Sequence, residues 1–353
     1  MKLLKPLVFC LFLSVPHLGF PQLEDEAGKA LESFYKSSGT SGVSACIWVE
    51  NKLDWKSALG KSCEDRDFEV DSKTRIASIS KPITAVAIMR LVEAGKLDLD
   101  SSISRYIDLP NTEWVEITTR QLLNHSAGIG AYQGNSEIEN QRNFKDLEEA
   151  MQVFSNRPLL FSPGEKYFYT TYGYVVLGRI IEEVSGMDYA QYIQENIFIP
   201  AGMKNSGVEN FQSRGQQVCL YTKKGKKTKS AKANNLSNRL PGGGIYSTSE
   251  DLVLFGRALL DESLISKSTF NKMLVRGPET EGNPYALGWF LYGPPPYEEL
   301  VIGHSGEQTG CSSQLMIIPK SKTVVVVLSN TSGVWREVVG LASEFIRISE
   351  LSK

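Results

Sequence analysis

Apolar positions change their spacing along the chain, and the changes mark its elements. Residues 25–36 put Ala27, Ala30, Leu31, Phe34 and Tyr35 at three- and four-residue intervals, which predicts an amphipathic helix. The stretch VSACIWVE then alternates, with Val43, Ala45, Ile47 and Val49 on one face, and DWKSALG follows a short turn near Asn51. Together they predict a β-hairpin. From Ser80 to Glu93 the apolar residues return to helical spacing, closed by Gly95 as a C-terminal cap. Helical patterns also cover 117–124, 146–155, 172–185, 187–196 and 249–260. Strand patterns follow in YALGWFL (285–291), LVIG (300–303), SSQLMIIP (312–319) and TVVVVLSN (323–330), and a last amphipathic helix spans about 334–348.

Strands therefore lie at both ends of the chain, with helices and loops between. There is no strand–helix alternation of the kind that builds a parallel sheet. The expected fold class is α+β: an antiparallel β-sheet whose strands come from both chain ends, flanked by helices, with a mostly helical lobe inserted. The sheet lobe would take residues 23–105 and 260–353, and the helical lobe 106–259. A cleft between the two is the natural place for a site.

Composition narrows the function classes. The 353 residues carry 41% hydrophobic and 22% charged residues and a net charge of −2. That balance is ordinary for a soluble domain and gives no reason to expect nucleic acid as a partner. One lysine-rich stretch, TKKGKKTKSAK (222–232), reads as a solvated hairpin turning at Gly225. The start, MKLLKPLVFCLFLSVPHLGF, has Lys2 and Lys5 before an apolar run from Leu7 to Val15. This is the layout of an export signal over residues 1–22, with an uncleaved N-terminal anchor as the alternative and the sole expected membrane contact. The expected location is secreted or periplasmic. Beyond that segment, Cys46, Cys63, Cys219 and Cys311 have long irregular spacings that fit no zinc or redox motif. An exported chain could pair them, in a connectivity the spacing does not give. No cofactor or metal motif is present, and Gly242, Gly243 and Gly244 read as a turn, since no Lys-Ser/Thr pair follows them as in a phosphate loop.

The candidate chemistry begins at RIASISKPIT. Ser78 precedes Lys81 by three residues, which places an amine within reach of a hydroxyl at a helix start. The helix N-terminus adds positive potential, and Pro82 is tolerated where first-turn amides need no partner. The motif is not specific by itself: Ser33 and Lys36 form a second copy inside the first helix. Three later stretches separate them. PGEKYFYTTYGYVVLGRIIEEVSG (163–186) presents Tyr169 before a helix, LPGGGIYSTSEDLVLFG (240–256) is a glycine turn before another, and GHSGEQTG (303–310) puts a histidine and small residues at a strand end. Small residues there let a substrate backbone approach closely. His125, in NHSAG, reads as a loop-stabilising residue.

Ser78-x-x-Lys81, Tyr169-x-Thr171 and His304-Ser305-Gly306, in this order, resemble the three motifs of serine β-lactamases and penicillin-binding proteins. The stretches RIASISKPIT, QLLNHSAGI, YGYVVLGRIIEEVSG, LPGGGIYST and VVVVLSN are most similar to the class C β-lactamase-like group, which includes D-aminopeptidases, carboxylesterases and the β-lactamase-like protein of animal mitochondria. The resemblance implies that group's fold, no cofactor, and acyl transfer through Ser78, with Lys81 and Tyr169 sharing acid and base work and Lys81 favouring the Tyr169 phenolate. It implies an oxyanion hole from the backbone N–H groups of Ser78 and Glu307. It also implies that Thr171, His304, Ser305, Gly306, Glu307 and Asn330 contact a small-molecule or peptide substrate. Two departures count against an efficient antibiotic-destroying enzyme. Thr171 stands where Asn is usual, and His304 where Lys is frequent; an unperturbed His304 would titrate near pH 6.5. The expected function is a serine hydrolase of amides, esters or β-lactams, peptidase- or esterase-like. A Ser-His-Asp hydrolase using His304 is disfavoured because the chain has no G-x-S-x-G elbow. A binding or sensor protein that acylates and stalls, or a scaffold, is the non-enzymatic alternative.

Overall fold

The computed structural model describes residues 20–351 apart from 52, 211, 212, 278–282, 284, 294 and 295. The basic–apolar N-terminal segment up to residue 19 lies outside the described residues, and Phe20–Gln22 begin the first helix. No helix among the described residues is long and apolar enough to cross a membrane.

Seven strands form one antiparallel sheet: β1 (Gly42–Val49), β2 (Leu53–Cys63), β3 (Arg66–Asp67), β4 (Phe290–Tyr292), β5 (Val301–Gln308), β6 (Cys311–Ile318) and β7 (Thr323–Ser329). Their spatial order is β3-β2-β1-β7-β6-β5-β4, so the two chain ends meet at β1 and β7, with Val43 opposite Ser329 and Val49 opposite Thr323. The run VVVVL in β7 is apolar throughout because both of its faces are covered. Val325 and Val327 join Ala45 and Ile47 in a core under two helices, α1 (Phe20–Ser38) and α5 (Trp335–Glu350), which contribute Leu31 and Phe345. Val324, Val326 and Leu328 face the opposite way, towards α2 (Ser80–Glu93), α3 (Tyr172–Ser185) and α4 (Ser249–Leu260). Every residue of α2 from Ser80 to Met89 is buried. A helix enclosed on all sides shows a weak amphipathic pattern, and it acts here as the central pillar beside the site.

Element boundaries moved where packing overrode the pattern. Only Phe290–Tyr292 of the 285–291 stretch pairs as a strand. Gly288 turns the chain with φ +87°, and a Cβ there would lie 2.4 Å from the Cβ of Ala85. The pattern over 146–155 becomes a helix at Leu147–Met151 alone. Helix α4 lies on the sheet, where a Cβ on Gly256 would meet Val324 at 2.7 Å. The lysine-rich stretch is a hairpin, Tyr221–Lys224 and Lys227–Ser230, with Gly225 at φ +60°.

Cys63, at the end of β2, is disulfide-bonded to Cys219, 156 residues away, with Cα atoms 5.0 Å apart. Cys46 and Cys311 are free and buried. The bridge ties the sheet edge to the segment leading into the lysine-rich hairpin. Closing so long a loop restrains the unfolded chain and is worth about 2–4 kcal/mol. The double variant Cys63→Ser/Cys219→Ser should therefore unfold at lower denaturant concentration by that amount. Wild type under full reduction should match it, and Cys46→Ser should not show the same reductant-insensitive loss. Equal stability of the oxidised wild type and the double variant would contradict the linkage.

Candidate active site

Ser78 sits on a single 3-10 turn, Ala77–Ile79, just before α2, and not within the first turn of the α-helix as the sequence suggested. Residues three apart eclipse on a 3-10 turn, so Lys81 still comes over Ser78. The turn begins with Ala77 at φ +49°, a conformation that costs a non-glycine residue of order 1–3 kcal/mol. Its neighbours hold it there. Ser80 Oγ donates to Ala77 O at 2.7 Å, Ile76 N–H donates to Ile245 O at 3.1 Å, and Ser313 Oγ donates to Ile76 O at 2.9 Å. Below the turn, Arg75 is fully buried. It pairs both oxygens of Glu209, at 2.8 and 2.6 Å, and donates to Asn234 Oδ1 and Thr309 O. Ser78 stays partly accessible while Arg75 to Ala77 and Ile79 to Met89 are buried. Ser33 lies on the exposed side of α1, where Lys36 pairs with Glu32.

Lys81 is fully buried, and no carboxylate pairs with it among the described residues. Its Nζ lies 3.1 Å from Ser78 Oγ, 3.2 Å from Thr171 Oγ1 and 2.8 Å from Gly242 O. Burial, and then the positive charge of Arg239, hold its pKa well below the usual lysine value. Gly242, read in the sequence as a plain turn, thus supplies a ligand for the amine. A side chain there would also strike Thr171, with Cβ 2.5 Å from its Cγ2.

Tyr169 lies beside this pair, its ring centroid 4.9 Å from Lys81 Nζ. Burial raises the phenol pKa above its usual value. The expected phenolate is therefore a correction: the phenol stays protonated, because burial disfavours the anion. His125 positions the Tyr169 segment. It adopts φ +61°, its carbonyl accepts from Phe168 N–H at 2.9 Å, and its Nδ1 accepts from Thr170 N–H at 3.3 Å. Its ring packs on that of Tyr169 at 4.4 Å between centroids. These two bonds bracket Tyr169, a positioning role that extends the loop-stabilising one read from NHSAG.

The third motif occupies β5. On one side β5 pairs with β6; on the other, β4 reaches only Val301, Ile302 and Gly303. The backbone from His304 to Gln308 has no strand partner on that side among the described residues, and so offers an extended edge. Gly306 is required there, since a Cβ would lie 2.4 Å from Ile76 O and 3.0 Å from Ala77 Cβ. Strand β5 thereby runs directly against the nucleophile turn, with Ser305 partly accessible.

Two side chains assigned to substrate by resemblance are engaged inside the protein. His304 is buried; its Nδ1 lies 2.6 Å from Ser305 O and so carries the hydrogen, which leaves Nε2 to accept from Tyr285 OH at 3.0 Å. Burial, reinforced by Lys81, lowers its pKa to about 3. His304 therefore does not titrate near 6.5. Asn330 is also buried: its Oδ1 accepts from Gly42 N–H, and its Nδ2 donates to Lys61 O and Ser62 O. It fastens the strand ends and does not face the cleft. The Glu307 carboxylate accepts from Ser312 Oγ and Gly333 N–H, which leaves the backbone of Glu307 as its contribution to the site.

A cleft of about 190 Å³ brings together Ser78, Thr171, Gly242, Arg239, Glu307 and Gln308. Arg239 and Tyr132, which also lines it, carried no sequence signal, because both lie on irregular segments without periodicity. Among the described residues, no group of three metal-ligating side chains converges. The model of the family described as Beta-lactamase matches residues 23–342. The chain belongs to that family. Among its relatives, it is 29% identical to penicillin-binding protein 4* of Bacillus subtilis (strain 168), over 76% of this chain and 62% of that protein. It is 28% identical to the mitochondrial serine beta-lactamase-like protein LACTB of Homo sapiens, over 80% and 69% of the two lengths. The chain thus spans somewhat under two thirds of the first of these relatives. In fold it matches a D-amino acid amidase from Ochrobactrum anthropi SV3, with a TM-score of 0.81 at 22% identity, covering 94% of this chain and 98% of that one.

The two buried histidines of this family member make stability depend on pH. Both have pKa values lowered by burial, His304 to about 3. The unfolded chain therefore binds more protons than the folded one between the ordinary value near 6.5 and the folded value. The His304 contribution is complete above pH 6.5 and is lost as pH falls towards 3, at up to about 1.4 kcal/mol per pH unit, and that of His125 is lost in the same direction. Urea midpoints measured from pH 7 to 5 should fall, and His304→Gln should flatten that slope by about half. An unchanged slope in the variant would show that His304 is not held neutral.

Proposed function

We propose that this chain is a serine hydrolase that forms an acyl-enzyme at Ser78, acting on amides or esters in the manner of a peptidase or esterase, with at most weak action on β-lactams. The observation that carries this reading is the buried Lys81 amine, 3.1 Å from Ser78 Oγ with its other partners already fixed. A neutral amine has two hydrogens and one lone pair. The carbonyl of Gly242 and the hydroxyl of Thr171 take the hydrogens, so the lone pair meets the Ser78 hydroxyl. As Ser78 Oγ bonds to the substrate carbonyl carbon, its proton passes to Lys81. The carbonyl oxygen gains negative charge, for which the backbone N–H groups of Ser78 and Glu307 serve as donors. Protonated Tyr169 gives its proton to the departing nitrogen or oxygen as the carbon–leaving-group bond breaks, and Lys81 returns a proton to Tyr169. Water then repeats the sequence on the ester, freeing Ser78. Acid and base are thus assigned to different groups, as their opposite pKa shifts require.

The substrate preference follows from what the motifs lack. Thr171 is committed to Lys81, so it offers no amide to a substrate side chain, and His304 supplies no cation beside the third motif. Both weaken the grip on a β-lactam carboxylate. Export is part of the same proposal: the Cys63–Cys219 disulfide suits an oxidising compartment, in keeping with the basic–apolar start of the sequence.

A fluorophosphonate probe should label wild type and Ser33→Ala but not Ser78→Ala; labelling of Ser78→Ala would overturn the assignment. Turnover of a p-nitrophenyl ester beyond one equivalent separates a hydrolase from a protein that acylates and stalls, which would show a single stoichiometric burst. Tyr169→Phe tests the acid. It should cost roughly 100-fold or more on a p-nitroanilide, whose leaving group needs a proton, and much less on the matched p-nitrophenyl ester. Equal losses on both would remove Tyr169 from that role.

A further inference from the structure

Arg239 is a charged side chain that the mechanism above does not employ as acid, base or nucleophile. It is buried, at 4% exposure, and lines the cleft that holds Ser78. Its guanidinium donates from Nε to Asn238 Oδ1 at 2.9 Å and from Nη2 to the carbonyls of Ile138, at 2.7 Å, and Glu137. It stacks over the Tyr132 ring, 4.6 Å from the centroid. All of these partners are neutral. The nearby carboxylates are committed elsewhere: Glu137 to Arg157 and Tyr172, Glu139 to Thr309, Glu209 to Arg75, and Glu307 to Ser312 and Gly333. Arg75 shows the contrast, because it is equally buried and has a bidentate carboxylate.

Fixing the 137–138 carbonyls does not by itself account for a charge. Asn238 donates to Glu137 O and Asn234 to Ile138 O, so neutral amides already perform that task in the same loop. Guanidinium cannot shed its proton to escape burial as Lys81 does. A desolvated cation without a counter-ion, at the wall of a cleft that must open to substrate, is a place where a ligand anion gains most. The stem of Arg239 passes Gly243, whose added Cβ would be 3.7 Å from Arg239 Cδ and 3.8 Å from Gln308 Oε1. The guanidinium lies beyond the glycine turn, against Tyr132 and the carbonyls of Glu137 and Ile138. Tyr285, His304 and Phe290 cluster together elsewhere and line none of this cavity.

We infer that Arg239 is a specificity-determining residue that receives a carboxylate on the substrate, so that the preferred substrates are acyl compounds bearing a free acid group. This rests on the hydrolase reading, and the experiment keeps the two apart. Matched p-nitrophenyl esters are compared: the monoesters of adipic and suberic acids, which end in a carboxylate, and the hexanoate and octanoate, which end in methyl. The ratio of kcat/KM, acid over neutral, cancels any effect of Arg239 on Lys81, because that effect is common to both. Wild type should favour the acid ester of at least one length by roughly ten- to a hundredfold, the worth of a charge-assisted hydrogen bond. Arg239→Gln retains amide donors and should bring the ratio to about one, while Arg239→Lys should keep part of the preference. Thermal unfolding checks that each variant is folded. No preference in wild type, or a preference that survives in Arg239→Gln, overturns the inference. Failure to turn over even the neutral esters would instead count against the hydrolase reading. In that case the binding of monomethyl adipate, which ends in a carboxylate, and of methyl hexanoate, which ends in methyl, to wild type and Arg239→Gln, followed by calorimetry, decides on Arg239 by the same ratio.

Discussion

An amine buried without a counter-ion is the constraint around which this site is arranged. Charging Lys81 would cost several kcal/mol in such surroundings, and the fixed positive charge of Arg239 adds to that cost. Burial therefore favours the neutral form of the lysine, and a neutral amine can accept a proton. Burial likewise decides the state of its neighbours. It disfavours the Tyr169 phenolate, so Tyr169 remains an acid. His304, whose charge burial opposes first of all, remains a neutral hydrogen-bond relay between Ser305 and Tyr285. Burial of one shared junction thus biases all three groups towards their neutral forms, and a substitution that opened a water path into it would disturb all three.

The backbone supplies the second half of the arrangement. The left-handed Ala77 aims Ser78 outward, and such a conformation persists only when its surroundings over-determine it. They come from distant parts of the chain: Ser80 from the following helix, Ile245 from the strand after the glycine turn, and Ser313 from β6. Gly306 then lets β5 close on the turn. Nucleophile, amine and strand edge are therefore positioned by one packed junction in which each member limits the freedom of the others.

Much of this was legible in the sequence where local chemistry and tertiary structure agree. The alternation of Val43, Ala45, Ile47 and Val49 named one face of β1 correctly, and the helix 172–185 matches its pattern residue for residue. Ser78, Lys81 and Tyr169 came from ordered motifs, and the structure places them together. What was illegible depended on environment. The pKa of His304 cannot be read from GHSG, because the burial that keeps it neutral comes from other segments, Tyr285 among them. Asn330 sits at the end of a recognisable strand, but the direction of its side chain is set by Gly42 and Lys61, nearly the whole chain away. The strand expected at 285–291 survives only at its end, Phe290 and Leu291, because Gly288 must turn against Ala85, a contact between elements some 200 positions apart.

The departures from the usual motifs can be understood as one electrostatic change. Replacing a lysine of the third motif by a neutral histidine takes a permanent positive charge away from the β5 side of the cleft. Thr171, in turn, has become a ligand of Lys81. Among the described residues, the positively charged side chain lining the cleft near Ser78 is Arg239, against Tyr132 and the carbonyls of Glu137 and Ile138. A field that draws anions to a different wall reorients any substrate held by both its reacting carbonyl and its charge. The catalytic geometry at Ser78 is compatible with many acyl groups; the position of that single guanidinium restricts which of them can lie with the carbonyl at Ser78 and an acid group against the cleft wall.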